Sequence, residues 1–152
     1  MSTQGLETEL FEILLVDDNV AHAILFREAL EEVGSRVRLH VLHDGREVLP
    51  YLRERLRSGM RSLPNLIVLD LNMPRKSGLE VLSEIRSDEN IGRIPVVILT
   101  TSSEEEDIFR AYELGANSYL RKPSRLDEFL SVVASLESFW SSSTFPYRGY
   151  GE

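Results

Sequence analysis

"LIVLDLNMP", residues 66–74, decides the fold. Four apolar residues run without a break into Asp70, and Pro74 closes the loop behind it. Such a run suits a strand covered on both faces, where every side chain enters the core. An aspartate at its end marks the point where the backbone leaves that core.

Similar runs recur on both sides. "FEILLV" (11–16) ends in Asp17 and Asp18, "VRLHVL" (37–42) alternates as a strand does, and "PVVILTT" (95–101) is rich in β-branched residues. "NSYLRKP" (117–123) reads as a short fifth strand. Between them lie segments of helical period. "VAHAILFREALEEV" (20–33) has Asn19 as N-cap and Gly34 as stop. "DGREVLPYLRERLR" (44–57) has Asp44 and Glu47 at capping-box spacing, with Pro50 awkwardly placed, so this helix either kinks or starts later. "GLEVLSEIRS" (78–87) follows, then "EEEDIFRAYELGA" (104–116) with Ser103 and Glu106 as a capping box, and "RLDEFLSVVASLESFW" (125–140). Five strand–helix alternations predict an α/β fold, a doubly wound five-stranded parallel sheet with helices on both faces.

The chain of 152 residues suits one domain, placed at 10–140 between tails at 1–9 and 141–152. It has no cysteine, which removes disulfides and thiolate metal sites. No secretory signal is legible at the N-terminus, and no run approaches the roughly 20 apolar residues that span a bilayer. A cytoplasmic protein is expected. The net charge of −8 disfavours nonspecific binding to nucleic acid or anionic membrane, although solubility alone also accounts for it.

In such sheets the functional crevice lies beyond the carboxyl ends of the strands. Asp17, Asp18 and Asp70 emerge there, with Thr100, Thr101 and Lys122. Two carboxylates about 4 Å apart repel by roughly 4 kcal/mol at an effective dielectric near 20, so three need a counter-charge. Hard oxygen donors suit Mg²⁺, and Lys122 supplies a cation of its own. Taken singly, each acid is an ordinary cap or turn former.

"LLVDDN", "LIVLDLNMPRKSGLE", "IPVVILTTSS" and "GANSYLRKP" resemble the receiver domain of bacterial two-component response regulators, a flavodoxin-like (CheY-like) fold. The likeness covers about residues 10–140. "RSDENIGRIPVVILTTSSEEEDIF" and the ending "SLESFW" are most similar to the single-domain regulators of bacterial phytochrome histidine kinases.

The resemblance implies that Asp70 is the phosphoacceptor for a phosphoryl group carried by a kinase histidine. Asp17, Asp18, Asp70 and the backbone carbonyl of Asn72 would hold Mg²⁺. Thr100 would hydrogen-bond the phosphoryl group and Lys122 would pair with it. Thr100 is preferred to Thr101 because it lies five residues past Pro95, the spacing of the family. Tyr119 occupies the aromatic switch position. Asn72 and Ser102 stand where the family tunes the lifetime of the acyl phosphate. The Lys122–Pro123 bond is commonly cis in this family. Weak self-phosphotransfer and autodephosphorylation are the only catalysis expected. His22 lies beside the acidic pocket, where a solvated helix residue is the simplest reading, and His40 and His43 receive no role.

Only twelve residues follow Trp140, too few for a DNA-reading fold, so the expected output is a surface that changes on phosphorylation. Leu126, Phe129, Leu130 and Val133 form the expected core stripe of the last helix. Val132, Leu136, Phe139 and Trp140 form a second apolar stripe, which a homodimer or another partner would cover; the alternative is that the C-terminal tail covers it. A phosphorelay intermediate, handing the group to a histidine phosphotransfer protein, fits the same residues. Two rivals remain. One is an interaction module indifferent to phosphorylation. The other is a Mg²⁺-dependent aspartyl-phosphate phosphohydrolase, which typically needs a second acid where this chain has Asn72.

Overall fold

A computed structural model describes residues 10–143. The tail assigned to 1–9 and most of that assigned to 141–152 lie outside the described residues. The strands are β1 (Glu12–Val16), β2 (Arg38–Leu42), β3 (Leu66–Leu69), β4 (Val96–Thr100) and β5 (Ser118–Arg121). The helices are α1 (Val20–Glu32), α2 (Val48–Leu56), α3 (Gly78–Ser87), α4 (Glu105–Glu113) and α5 (Leu126–Ser141). All strands are parallel, in the order β2-β1-β3-β4-β5.

Alternation along each central strand divides the core into two layers. Leu14, Val16, Ile67, Leu69, Val96 and Ile98 face α2, α3 and α4, whose Leu52, Val81, Leu82, Ile85 and Ala111 complete that layer. Ile13, Leu15, Leu66, Val68, Val97 and Leu99 face α1 and α5, against Phe26, Leu30, Phe129, Val133 and Leu136. The run at 66–69 is apolar throughout because both of its faces are covered.

Local differences from the sequence reading have local causes. The second helix starts later, at Val48, after a 3-10 turn at Gly45–Glu47. Pro50 therefore falls in the first turn, where its missing N–H would have had no helical partner. Asp44 caps that 3-10 turn through the Arg46 N–H, so it forms no capping box with Glu47. Nor do Ser103 and Glu106 form one: Glu104 is the N-cap of α4 without a side-chain bond. Ser102 intervenes, accepting from the Glu104 N–H at 3.3 Å and donating to Asp107 at 2.6 Å. A reciprocal capping box does form at Ser77 and Glu80, at the start of α3. Asn19 caps α1 as expected, accepting from the His22 N–H.

The last helix exchanges two assignments. Leu136 is buried in the core, whereas Leu126, one turn too early to reach it, is 56% exposed. The outward apolar surface of α5 is therefore made by Val132, Phe139 and Trp140. Among the described residues no peptide bond is cis, Lys122–Pro123 included, against the expectation from the family. Among the same residues no helix is long and apolar enough to cross a membrane.

Arg86 ties three segments of the far layer. Its guanidinium donates to the carbonyls of Gly115, Gly92 and Ile94 and to Asn117 Oδ1. Asn117 Oδ1 in turn accepts from the Val96 N–H, so the entry to β4 and the entry to β5 are fixed together.

Candidate functional site

β1 and β3 are neighbours in space, and the chain departs from them in opposite directions, which opens a crevice at their carboxyl ends. Asp17 follows β1 directly and Asp70 follows β3 directly. The Asp17 N–H donates to the Leu42 carbonyl and the Asp70 N–H to the Val16 carbonyl, so the sheet ladder itself aims both side chains. Both are buried, at 2% and 6% exposure, while Asp18 is less so. Ligand oxygens of Asp17, Asp18 and Asp70 all lie within 4.8 Å of one another. A donor set of three hard oxygens at this spacing suits a divalent cation bound with additional waters.

Lys122 enters from the end of β5. Its N–H donates to the Thr100 carbonyl at 2.7 Å, and its buried ammonium reaches across the crevice. Nζ lies 2.7 Å from Asp17 Oδ2 and 2.9 Å from Asp70 Oδ2. The remaining carboxylate oxygens are held by backbone. Asp17 Oδ1 accepts from the Asn19 N–H at 2.9 Å and Asp70 Oδ1 from the Asn72 N–H at 3.2 Å. Burial nevertheless pushes the Asp17 carboxyl above its ordinary value of 3.8, against the pull of Lys122.

Thr100 is fully buried at the end of β4, and its Oγ1 accepts from the Asn72 side-chain amide at 3.3 Å. Thr101 is exposed, so Thr100 is the hydroxyl that faces Asn72 across the crevice. Tyr119 stands on the edge strand, half-buried, with its hydroxyl donating to the Ser102 carbonyl at 3.0 Å. Tyr119 on β5 is thus tied to the loop that carries Ser102, just beyond Thr100.

Three residues make contacts at the site that the sequence reading did not assign to them. His22 Nδ1 is 2.7 Å from Lys122 Nζ, so this side chain belongs to the site and is not merely solvated. Its position in the first turn of α1, three residues past the N-cap, was the available signal. His43 Nδ1 lies 2.9 Å from the Asp17 carbonyl oxygen and donates to it, bracing the β1–α1 loop. Gly78 begins α3 hard against the loop that carries Asp70. A Cβ there would stand 2.2 Å from the Asp70 carbonyl oxygen and 2.8 Å from Leu71 Cα. A glycine at a helix start, where many residues do better, was its signal.

The chain matches the response regulator receiver domain over residues 13–134. It belongs to the response regulator receiver family. A probable methanogenesis regulatory protein, FilR2 of Methanothrix harundinacea, is 45% identical over 130 residues, covering 86% of this chain and 83% of FilR2. Response regulator Rcp1 of Synechocystis sp. is 42% identical over 128 residues, covering 84% of this chain and 87% of Rcp1. Among solved structures, the phosphorylated cyanobacterial phytochrome response regulator RcpA superposes with a TM-score of 0.83 at 42% identity, covering 90% of this chain and 99% of RcpA. The Mn²⁺-bound form of Rcp1 does so at 0.80 and 41%, covering 90% and 99%. This receiver therefore carries the family's acidic metal-binding cluster, and its fold is the flavodoxin-like arrangement of those structures.

The raised Asp17 has a testable sign. The folded receiver holds that proton more tightly than the unfolded chain does. Stability accordingly falls as pH rises from the ordinary carboxylate value through the raised one, because the buried carboxyl must then give up its proton. Asp17→Asn is expected to raise the thermal midpoint of the cation-free protein at pH 7, by about 2–4 °C for each kcal/mol relieved. It should also weaken the stabilisation by Mg²⁺ or Mn²⁺. In the parent protein that stabilisation should shrink toward pH 4; a constant increment down to that pH would contradict the assignment.

Proposed function

We propose that this receiver accepts a phosphoryl group from the phosphohistidine of a sensor kinase onto Asp70, in the presence of Mg²⁺, and signals through a change in its protein-binding surface. The observation that carries this reading is the buried ammonium of Lys122 lying between Asp17 and Asp70 at the switch point of the sheet. A carboxylate oxygen of Asp70 attacks phosphorus, the P–N bond breaks, and the imidazole leaves with the electron pair and takes up a proton. Asp70 becomes an acyl phosphate. Asp17, Asp18, Asp70 and the Asn72 carbonyl would hold Mg²⁺, which offsets negative charge on the phosphoryl oxygens when bound. Lys122 and Thr100 supply an ammonium and a hydroxyl to those oxygens. Movement of Thr100 toward them would draw on the loop that Tyr119 holds through Ser102.

The kinase is of the histidine type, and the likeness to RcpA and Rcp1 supports a phytochrome kinase among the candidates. Exposed Val20 and Ile24 on α1 and Leu126 on α5 offer an apolar landing for a kinase helix or for a histidine phosphotransfer protein. A cytoplasmic location follows from such partners. Asn72, engaged through its amide with Thr100, has no proton to give as a general acid, which disfavours the phosphohydrolase reading. No turnover beyond slow loss of the acyl phosphate to water is expected.

Intact mass spectrometry after incubation with Mg²⁺ and acetyl phosphate tests the reading. One added phosphoryl group is expected, absent without Mg²⁺ and absent in Asp70→Asn. No adduct under any condition would favour the phosphorylation-independent interaction module.

The output surface is proposed to be a homodimer contact. Leu120, Val132, Leu136, Phe139 and Trp140 line an apolar groove of about 540 Å³ between β5 and α5. Phe139 is 66% exposed and meets Trp140 edge-on at 5.2 Å. Phe139→Glu is expected to convert a dimer to a monomer in light scattering. An unchanged mass would remove this face from the contact.

A further inference from the structure

We infer that His22 is a positioning residue that holds the Lys122 ammonium in place while the phosphoryl group is bound; this rests on the reading of Asp70 as phosphoacceptor. An ammonium has three protons and no acceptor. Lys122 Nζ has three acceptors within reach: Asp17 Oδ2 at 2.7 Å, His22 Nδ1 at 2.7 Å and Asp70 Oδ2 at 2.9 Å. Nδ1 therefore presents its lone pair, and the ring proton sits on Nε2.

The three acceptors differ in what happens to them when the site is loaded. Asp70 loses its charge on becoming an acyl phosphate. Asp17 is a member of the acidic set that would face a cation. His22 is neither a nucleophile nor a member of that set. It alone keeps its lone pair for Lys122 throughout. Being a neutral acceptor, it holds Nζ without competing electrostatically with the phosphoryl oxygens for the remaining protons.

The ring is held in turn. The His22 backbone N–H donates to the N-cap Asn19 Oδ1 at 3.2 Å, which fixes the first turn of α1 that carries the ring. The imidazole lies against Phe129 of α5, centroids 6.4 Å apart and planes inclined by 31°. Its side chain is 31% exposed, so it is accessible yet packed on one side. A positioned neighbour of this kind matters because small misplacements of a charged group at the reacting centre are costly.

Two substitutions separate the acceptor from the bulk of the ring. Asn places an oxygen near the position of Nδ1, whereas Leu fills similar space without a lone pair. Phosphorylation by acetyl phosphate would be followed by intact mass at saturating Mg²⁺, with Mg²⁺ affinity by calorimetry and the thermal midpoint measured on the same proteins. His22→Leu is expected to slow phosphorylation about tenfold, the rate equivalent of one ordinary hydrogen bond. His22→Asn should recover most of the rate, and Mg²⁺ affinity should stay within about twofold in both, far less than one hydrogen bond's worth. A parent-like rate in His22→Leu, or an equally slow His22→Asn, overturns the proposal while leaving Asp70 as phosphoacceptor. A parent protein that takes up no phosphoryl group, like its Asp70→Asn control, overturns both.

Discussion

Lys122→Met is expected to destabilise the cation-free receiver by about 3–5 kcal/mol, the usual cost of removing one partner from a buried charge pair. The methionine fills the volume of the lysine stem, so the loss reports charge rather than packing. Lys122 is 3% exposed in its side chain, and so is Asp17, with Asp70 at 8%. Without the ammonium the carboxylates face each other with only backbone N–H groups for company. Asp17 is held above its ordinary value even with Lys122 present, so its further rise without Lys122 is the direction to expect. Urea unfolding with and without saturating Mg²⁺ decides the point. Mg²⁺ should recover much of the lost stability, because it replaces the missing positive charge. Phosphorylation by acetyl phosphate should remain slow, by about 10²–10³-fold, since a donor to the phosphoryl oxygens is gone. A midpoint unchanged in the absence of cation would mean that the carboxylates take up protons or water without cost.

Gly78→Ala acts on the same site through the backbone. Its new Cβ would stand 2.2 Å from the carbonyl oxygen of Asp70, 2.8 Å from Leu71 Cα and 3.0 Å from the Asp70 carbonyl carbon. All three are main-chain atoms, so no rotamer change relieves the contact. Either α3 moves away or the loop carrying Asp70 does. The Gly78 N–H also donates to the Leu71 carbonyl at 3.0 Å, which ties the two segments against separation. A loss on the order of 3 kcal/mol is expected, at the upper end of ordinary overpacking. Impaired Mg²⁺ binding should accompany it. Ala at Gly34, where nothing lies within 4 Å of a Cβ but φ is +69°, is the informative comparison. It should lose stability through backbone strain alone and leave cation binding intact.

The central strands and the positions of Asp17, Asp70 and Lys122 were legible because burial on both faces writes itself into sequence as an apolar run, and the residue after each run then marks the crevice. Thr100 was preferred to Thr101 through the family's spacing, and the structure places its hydroxyl beside the Asn72 amide. What sequence could not supply was contact between distant segments. His22 and Lys122 are 100 positions apart and nothing local announces that they touch. One capping box failed for a local reason, while the Asn19 cap held. Ser103 and Glu106 have the right interval, but the Ser102 hydroxyl is turned to Asp107 and takes the place of the cap. On α5 a helical wheel cannot say which of two adjacent apolar stripes meets the sheet. In the folded chain Leu136 is buried and Leu126 lies outside.

The hydroxyl of Tyr112 on α4 accepts a hydrogen bond from the Tyr119 N–H at 3.1 Å. Tyr119 lies on β5, which is an outer strand of the sheet, and that bond occupies a main-chain donor an incoming strand would need. Together with the four-residue length of β5, it plugs this border against extension from one molecule into the next. Copies of this receiver that meet here would do so through side chains of β5 and its flanking helices, an association that can be made and undone without unzipping any backbone.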